Sequence, residues 1–107
     1  MTSSSLDIVA IGDAIVDVIA TTDDAFIEAR GLPRGGMQLL TTTEADELYA
    51  AMGPAREISG GSAANSMAGA ASLGLDVAFV GQVAHDQLGD IFEHDMISLG
   101  VRFVTPP

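Results

Sequence analysis

The sequence predicts an α/β fold in which strands alternate with helices. Short apolar runs rich in β-branched residues read as buried strands: Ile8-Val9-Ala10-Ile11, Val77-Ala78-Phe79-Val80 and Val101-Arg102-Phe103-Val104. Between the second and third lies a stretch with Leu88, Phe92, Met96 and Leu99 at helical spacing. Glycines stand where these elements should stop, at Gly12, Gly74, Gly81 and Gly100. From Ser62 onward the alternation implies parallel βαβ units with right-handed crossovers.

Taken in order, Leu6 to Gly12 is the first strand, and Ile15-Val16-Asp17-Val18-Ile19-Ala20 is a second β-branched run. The Asp13-Ala14 step between them is too short to hide a helix. The two runs therefore form one bent strand, or two strands meeting at a corner, with Asp13 and Asp17 near the bend. Ala25 to Arg30 suits a short helix, Gly31 to Gly36 is turn material, and Met37-Gln38-Leu39-Leu40 alternates as an exposed strand would. Thr41 and Glu44 fit a capping box for the next helix, whose Ala45, Leu48 and Met52 share a face and which Gly53-Pro54 stops. The following helix starts at the Gly60-Gly61 pair, carries Met67 and Ala71 on one face, and ends at Gly74. Asp86 caps the last helix, and Gly100 ends it.

Composition narrows the function classes. The 107 residues suffice for one modest domain, and 48% are apolar, which supports a real core. No cysteine is present, so disulfides and thiolate metal sites are excluded. Four basic against fifteen acidic residues give a net charge of −11, which repels nucleic-acid backbones and anionic membranes. No apolar run reaches transmembrane length, and the Met1-Thr2-Ser3-Ser4-Ser5 start lacks the features of a signal peptide and is expected to be a loose terminus. A cytoplasmic location is expected. His85 and His94 lack a third ligand at helical spacing, so no metal site is expected, and Asp23-Asp24 reads as a solvated loop without a partner. A dinucleotide-binding oxidoreductase fails on spacing, because no Gly-x-Gly-x-x-Gly follows the first strand.

The most informative stretch is Ser59-Gly60-Gly61-Ser62-Ala63-Ala64-Asn65, which opens directly into a helix of small residues. A helix start offers unpaired N–H groups, and glycines let a ligand approach them. Asn65 can both donate and accept hydrogen bonds, and Ser62 is placed to cap the helix or to touch a ligand. Asp17 lies in an apolar β-branched run, where an acid costs free energy unless paired. Its carboxylate can accept from two hydroxyls at once, which suits a vicinal diol. Asp13 sits beside a glycine, as turn residues do, and Ile15 suits a core or a pocket wall. Together these elements suggest a pocket for a hydroxyl-rich small molecule.

The glycine pair, its helix and Asn65 resemble the first signature of the ribokinase-like (PfkB) carbohydrate kinases. Gly12-Asp13-Ala14-Ile15-Val16-Asp17 resembles their first substrate-binding strand. Gly31-Leu32-Pro33-Arg34-Gly35-Gly36-Met37, Gly81-Gln82-Val83-Ala84-His85-Asp86-Gln87-Leu88-Gly89 and Gly100-Val101-Arg102-Phe103-Val104-Thr105-Pro106 look most like the adenosine kinase-like branch, although Asp13 stands where adenosine kinases usually carry Asn.

The resemblance runs from about Asp7 to Pro107 and implies a partial ribokinase-like, Rossmann-like sheet with flanking helices and part of a β-lid at about 25–41. It implies the N-terminal, substrate-side part of a kinase that transfers the ATP γ-phosphoryl group to a primary hydroxyl of a sugar or nucleoside. Asp13, Asp17, Gly60, Gly61, Ser62 and Asn65 would hold the substrate, with Ile15, Met37 and Gln38 as pocket wall or lid. ATP and Mg²⁺ would be bound mainly by a C-terminal part that these 107 residues do not contain, together with the catalytic base. No catalytic residue is therefore expected here, and the chain by itself is expected to be inactive. The lid edge offers a pairing edge for a homodimer. The alternative is a non-catalytic sugar- or nucleoside-binding module.

Overall fold

The computed structural model describes residues 5–107; the N-terminal expectation at positions 1–4 lies outside them. The described residues fall into two units, one comprising residues up to Val18 together with Glu57–Pro107, the other Ile19–Arg56.

The first unit is built on a parallel three-stranded sheet. Strand β1 (Ile8–Ile11) pairs with β4 (Val77–Val80), which pairs in turn with β5 (Val101–Arg102). Ile8 lies opposite Val77 and Ile11 opposite Val80, while Val77 lies opposite Val101. Helices α3 (Ser62–Ser72) and α4 (Gln87–Ser98) make the crossovers, as the alternation predicts. The sheet is tied at its start, where the Asp76 N–H donates to Asp7 Oδ2 (2.8 Å) and Arg102 Nη2 lies 3.2 Å from Asp76 Oδ2.

The core follows from the twofold period of the strands. Val77, Phe79 and Val101 point to the helices and are buried with Phe103, Phe92, Met96, Met67 and Ala64. Phe92 is the hub, with ring centroids 5.5 Å from Phe79 and 5.4 Å from Phe103. The alternate residues Val9, Ile11 and Val80 remain exposed, as does Val104 beyond β5.

Helix ends follow the predicted chemistry. Asp86 accepts from the Gly89 N–H (2.8 Å) and so caps α4. At the end of α3, the Leu75 N–H donates to Ala70 O (3.2 Å) and the Gly74 N–H to Ala71 O (3.0 Å), a Schellman closure.

Three strands bear on what the sequence predicts. The Ile15 run is a separate strand, β2 (Ile15–Ile19), so the corner reading holds over the single bent strand. Its partner in a two-stranded sheet is β3 (Arg56–Gly60), which carries no apolar run and was not anticipated. β5 also stops at Arg102, short of the predicted Val104.

The second unit holds α1 (Asp24–Ala29) and α2 (Thr42–Ala51). Asp23 is not an unpartnered loop acid: it caps α1 by accepting from the Phe26 N–H (2.9 Å), and Asp24 pairs with Arg34 at 2.7 Å. The capping box on α2 is complete. Thr41 Oγ1 accepts from the Glu44 N–H (3.2 Å), and Glu44 Oε1 accepts from the Thr41 N–H (2.9 Å). The Thr41 backbone N–H, and after it the Thr41 hydroxyl, hold the Glu44 carboxyl below the usual carboxylate range. Phe26, Ile27, Leu32, Leu48 and Met52 line a cavity of about 200 Å³. Residues 37–40 form no strand, because no neighbouring segment pairs with them.

Candidate functional site

Strand β2 sorts its side chains by parity. Ala14 and Val16 pack against the hydrophobic core. Asp13, Ile15 and Asp17 therefore fall on the opposite, exposed side. The acid that an apolar strand could not bury is thus turned to solvent. Among the described residues, neither carboxylate forms an ion pair or a hydrogen bond.

Against this row stands the glycine pair at the end of β3. A Cβ added to Gly60 would lie 2.7 Å from Asp17 Oδ2, so the carboxylate occupies the space that a side chain there would need. A Cβ on Gly61 would lie 3.2 Å from the Asp13 carbonyl oxygen and 3.4 Å from Ile15 Cδ1. Gly61 also has φ +93°, which an L side chain adopts only under strain. The two glycines thus allow β3 to turn into α3 directly beside Asp13, Ile15 and Asp17.

Gly61 itself is the N-cap of α3, and Ser62 is the first helical residue, which corrects the expectation of Ser62 as the cap. The reason is the left-handed backbone at Gly61, which places the glycine at the capping position. No side chain caps this helix, so its opening N–H groups meet no protein acceptor from the cap residue. The Asn65 N–H donates to Gly61 O (2.9 Å), and its side chain is exposed one turn into the helix. Ala64 and Met67 take the buried positions of that turn.

The structure thus brings Asp13, Ile15, Asp17, Gly60 and Gly61 together, with Ser62 and Asn65 following on α3. Met37 and Gln38 belong to the second unit. Met37 is exposed, and Gln38 lines a cavity of about 160 Å³ with Arg30, Glu44 and Glu47. A concavity of about 210 Å³ in the first unit lies on the core-facing side of β2, between Ala14, Val16, Gln82 and Phe92. It does not include the two aspartates.

Sequence reasoning missed what supports the glycine pair. Strand β3 hides because Ile58 is the one β-branched residue in Arg56-Glu57-Ile58-Ser59-Gly60. Asp95 on α4 accepts from the Ser59 N–H (2.9 Å), across a sequence separation that no local pattern signals. No group of three or more His, Asp or Glu side chains among the described residues could hold a metal ion.

With this geometry in hand, the comparisons are specific. The profile of the pfkB family carbohydrate kinases matches residues 5–105. Among solved structures, adenosine kinase from Sinorhizobium meliloti is 52% identical with a TM-score of 0.76, and covers 97% of this chain and 32% of its own. A probable sugar kinase from Rhizobium etli CFN 42 is 46% identical with a TM-score of 0.75, and covers 95% of this chain and 31% of its own. Adenosine kinase from Trypanosoma brucei brucei is 26% identical with a TM-score of 0.75, and covers 94% of this chain and 33% of its own. The chain therefore spans about a third of the length of these proteins. None of the curated proteins compared with it matches.

Proposed function

The chain belongs to the pfkB family of carbohydrate kinases, and from that premise we propose that it supplies the substrate-holding part of a sugar or nucleoside kinase. The observation that carries this reading is the unpartnered Asp17 carboxylate set against Gly60, beside a helix start that no side chain caps. A carboxylate is acceptor-only, so it suits two neighbouring hydroxyls that both donate. Asp13 adds a second acceptor on the same side, and Ile15 between them offers an apolar wall. Gly60 and Gly61 let a sugar ring approach the backbone, where the N–H groups opening α3 can donate to its oxygens. Asn65, donor and acceptor together, distinguishes hydroxyl positions. Met37 and Gln38 serve as lid residues in this reading.

The reaction proposed for the whole kinase is phosphoryl transfer from ATP to a primary hydroxyl. ATP supplies the transferred group and Mg²⁺ neutralises its charge. What these residues contribute is binding and orientation. Holding the sugar by its diol fixes the remaining hydroxyl for attack, and such positioning is a large share of catalysis in phosphoryl transfer. In this reading the 107 residues bind the substrate, and the transfer itself relies on groups outside them. A cytoplasmic setting suits such a kinase, and no helix among the described residues is long and apolar enough to cross a membrane.

The test is a titration of the chain with adenosine and with D-ribose, read by backbone amide chemical shifts. The expected result is a shift at Gly60, Gly61, Ser62 and Asn65, and binding about 2–4 kcal/mol weaker in Asp17→Ala, the range for a lost charged anchor. Unchanged affinity in Asp17→Ala removes the carboxylate from the site. Phosphorylation of either compound by the purified chain with ATP and Mg²⁺ overturns the assignment of catalysis to groups outside it.

A further inference from the structure

We infer that Asp95, on α4, is a positioning residue for the glycine pair. The inference rests on the reading above only for its consequence in binding. Its structural content stands on geometry. Asp95 Oδ2 accepts from the backbone N–H of Ser59 at 2.9 Å, and Ser59 is 8% exposed. The next two residues are the glycines whose backbones lie against Asp17 and Asp13. β3 has one strand neighbour, β2. The carboxylate of α4 therefore does for Ser59 what a carbonyl of another strand would do, and it fixes the buried Ser59 N–H immediately before the glycine pair.

The tie is placed where a small displacement matters. Gly60 already stands as near Asp17 as a missing side chain allows. Movement of β3 toward β2 closes that gap, and movement away opens it. A second link, Gln87 Nε2 to Glu57 Oε2 at 3.1 Å, joins α4 to β3 two residues earlier, but it lies at an exposed side-chain pair. The other Asp95 oxygen, Oδ1, faces His94 Nδ1 at 3.8 Å on the exposed side of α4. The buried end of the carboxylate is thus the one engaged with the backbone.

The consequence follows from what replaces the bond. With Asp95→Leu, the Ser59 N–H loses its acceptor in a place where water reaches poorly, so the end of β3 loosens. With Asp95→Asn, the amide oxygen can still accept. The first measurement is native-state amide exchange on the 107-residue chain. The expected result is exchange about tenfold faster at Ser59, Gly60 and Gly61 in Asp95→Leu, with Phe79 and Met96 protected as in the wild type and Asp95→Asn close to the wild type. Uniformly faster exchange across the first unit, or no change at the glycines, overturns the positioning role. Should Asp95→Leu fail to fold, the Ser59 amide proton shift decides: it moves upfield in Asp95→Ala if the bond exists and stays in place if it does not.

The second measurement is adenosine affinity at a temperature where all variants are folded. Asp95→Leu is expected to bind about tenfold more weakly and Asp95→Asn within about twofold of the wild type. If the wild type binds neither adenosine nor D-ribose, the assignment of the substrate site fails while the exchange result still decides Asp95. If the wild type binds and Asp95→Leu binds equally well, the carboxylate stabilises the fold without positioning the site.

Discussion

Gly60→Ala separates stability from binding in this molecule. The new methyl carbon would sit 2.7 Å from Asp17 Oδ2, 3.1 Å from Cγ and 3.4 Å from Oδ1. The first is closer than any real Cβ contact and the second is tight, while the third is ordinary contact, so something must move. What moves is the Asp17 side chain, because it is exposed and bonded to nothing among the described residues. Turning it costs about 0.5–1.5 kcal/mol if it leaves its rotamer well. Replacing glycine by alanine in a strand returns about 0.4–1 kcal/mol through the unfolded chain. The two nearly cancel, so the urea midpoint should shift by less than the equivalent of ~1 kcal/mol.

Ligand binding has no such compensation. The carboxylate proposed to accept from sugar hydroxyls is pushed out of place, and hydrogen bonds to a charged group are worth about 1.5–3 kcal/mol. Adenosine affinity measured by titration calorimetry should therefore fall about 10- to 150-fold. Wild-type affinity in Gly60→Ala would refute the placement of the diol at Asp17. A stability loss above ~3 kcal/mol would refute the claim that Asp17 is free to yield, since a rigid neighbour is what makes overpacking that costly.

Gly89→Ala places its methyl against the carbonyl oxygen of Ala84, a backbone group that cannot rotate away, and should cost about 2–3 kcal/mol in urea denaturation with no separate effect on ligand contacts. Asp86→Ala removes the acceptor for the Gly89 N–H and should lower stability by about 1 kcal/mol, with Asp86→Ser recovering most of it. Glu44 has a lowered pKa in the folded chain, so its contribution is present above the ordinary glutamate range and is lost as pH falls through the folded value; the acid side of the thermal-stability profile should flatten in Glu44→Gln. Ile11→Ser and Val104→Ser, at side chains 81% and 90% exposed, should change stability by less than about 0.5 kcal/mol in urea denaturation.

The sequence was legible where local chemistry and burial agree. The caps at Thr41 and Asp86 are read from side chains that bond within three residues, and both form as expected. Val77-Ala78-Phe79-Val80 is legible as a strand because it lies between β1 and β5 with Val77 and Phe79 buried, so its composition states its place. Strand β3 escaped for the converse reason. Its pairing with β2 and its bond to Asp95 are made through the backbone, and backbone partners leave little mark on residue type. Residues 37–40 show the opposite failure: their alternation suits a strand, yet a strand exists only where another segment offers its N–H and C=O groups. At the site, the glycine pair was visible as a motif. Which glycine meets which aspartate was not, because that depends on how β2 and β3 lie together.

The parity of β2 couples the site to the core. Ala14 and Val16 anchor the strand on the hydrophobic cluster, and Asp13, Ile15 and Asp17 take the other side because they alternate with them. A slip of one residue would bury both carboxylates and expose both anchors, at the cost of two unpaired buried charges. The position of Asp17 is thus enforced by the burial of its neighbours and needs no hydrogen bond of its own. Its backbone is held in this way while its side chain, without a partner among the described residues, stays free to turn. Gly61 uses the same economy. Its φ of +93° turns the chain into α3 without a capping side chain, so the helix start and the carboxylate row face one another with their polar groups uncommitted. In the proposed function a hydroxyl-rich ligand supplies acceptors to the helix start and donors to the carboxylates, a complementarity that neither element finds in the described residues.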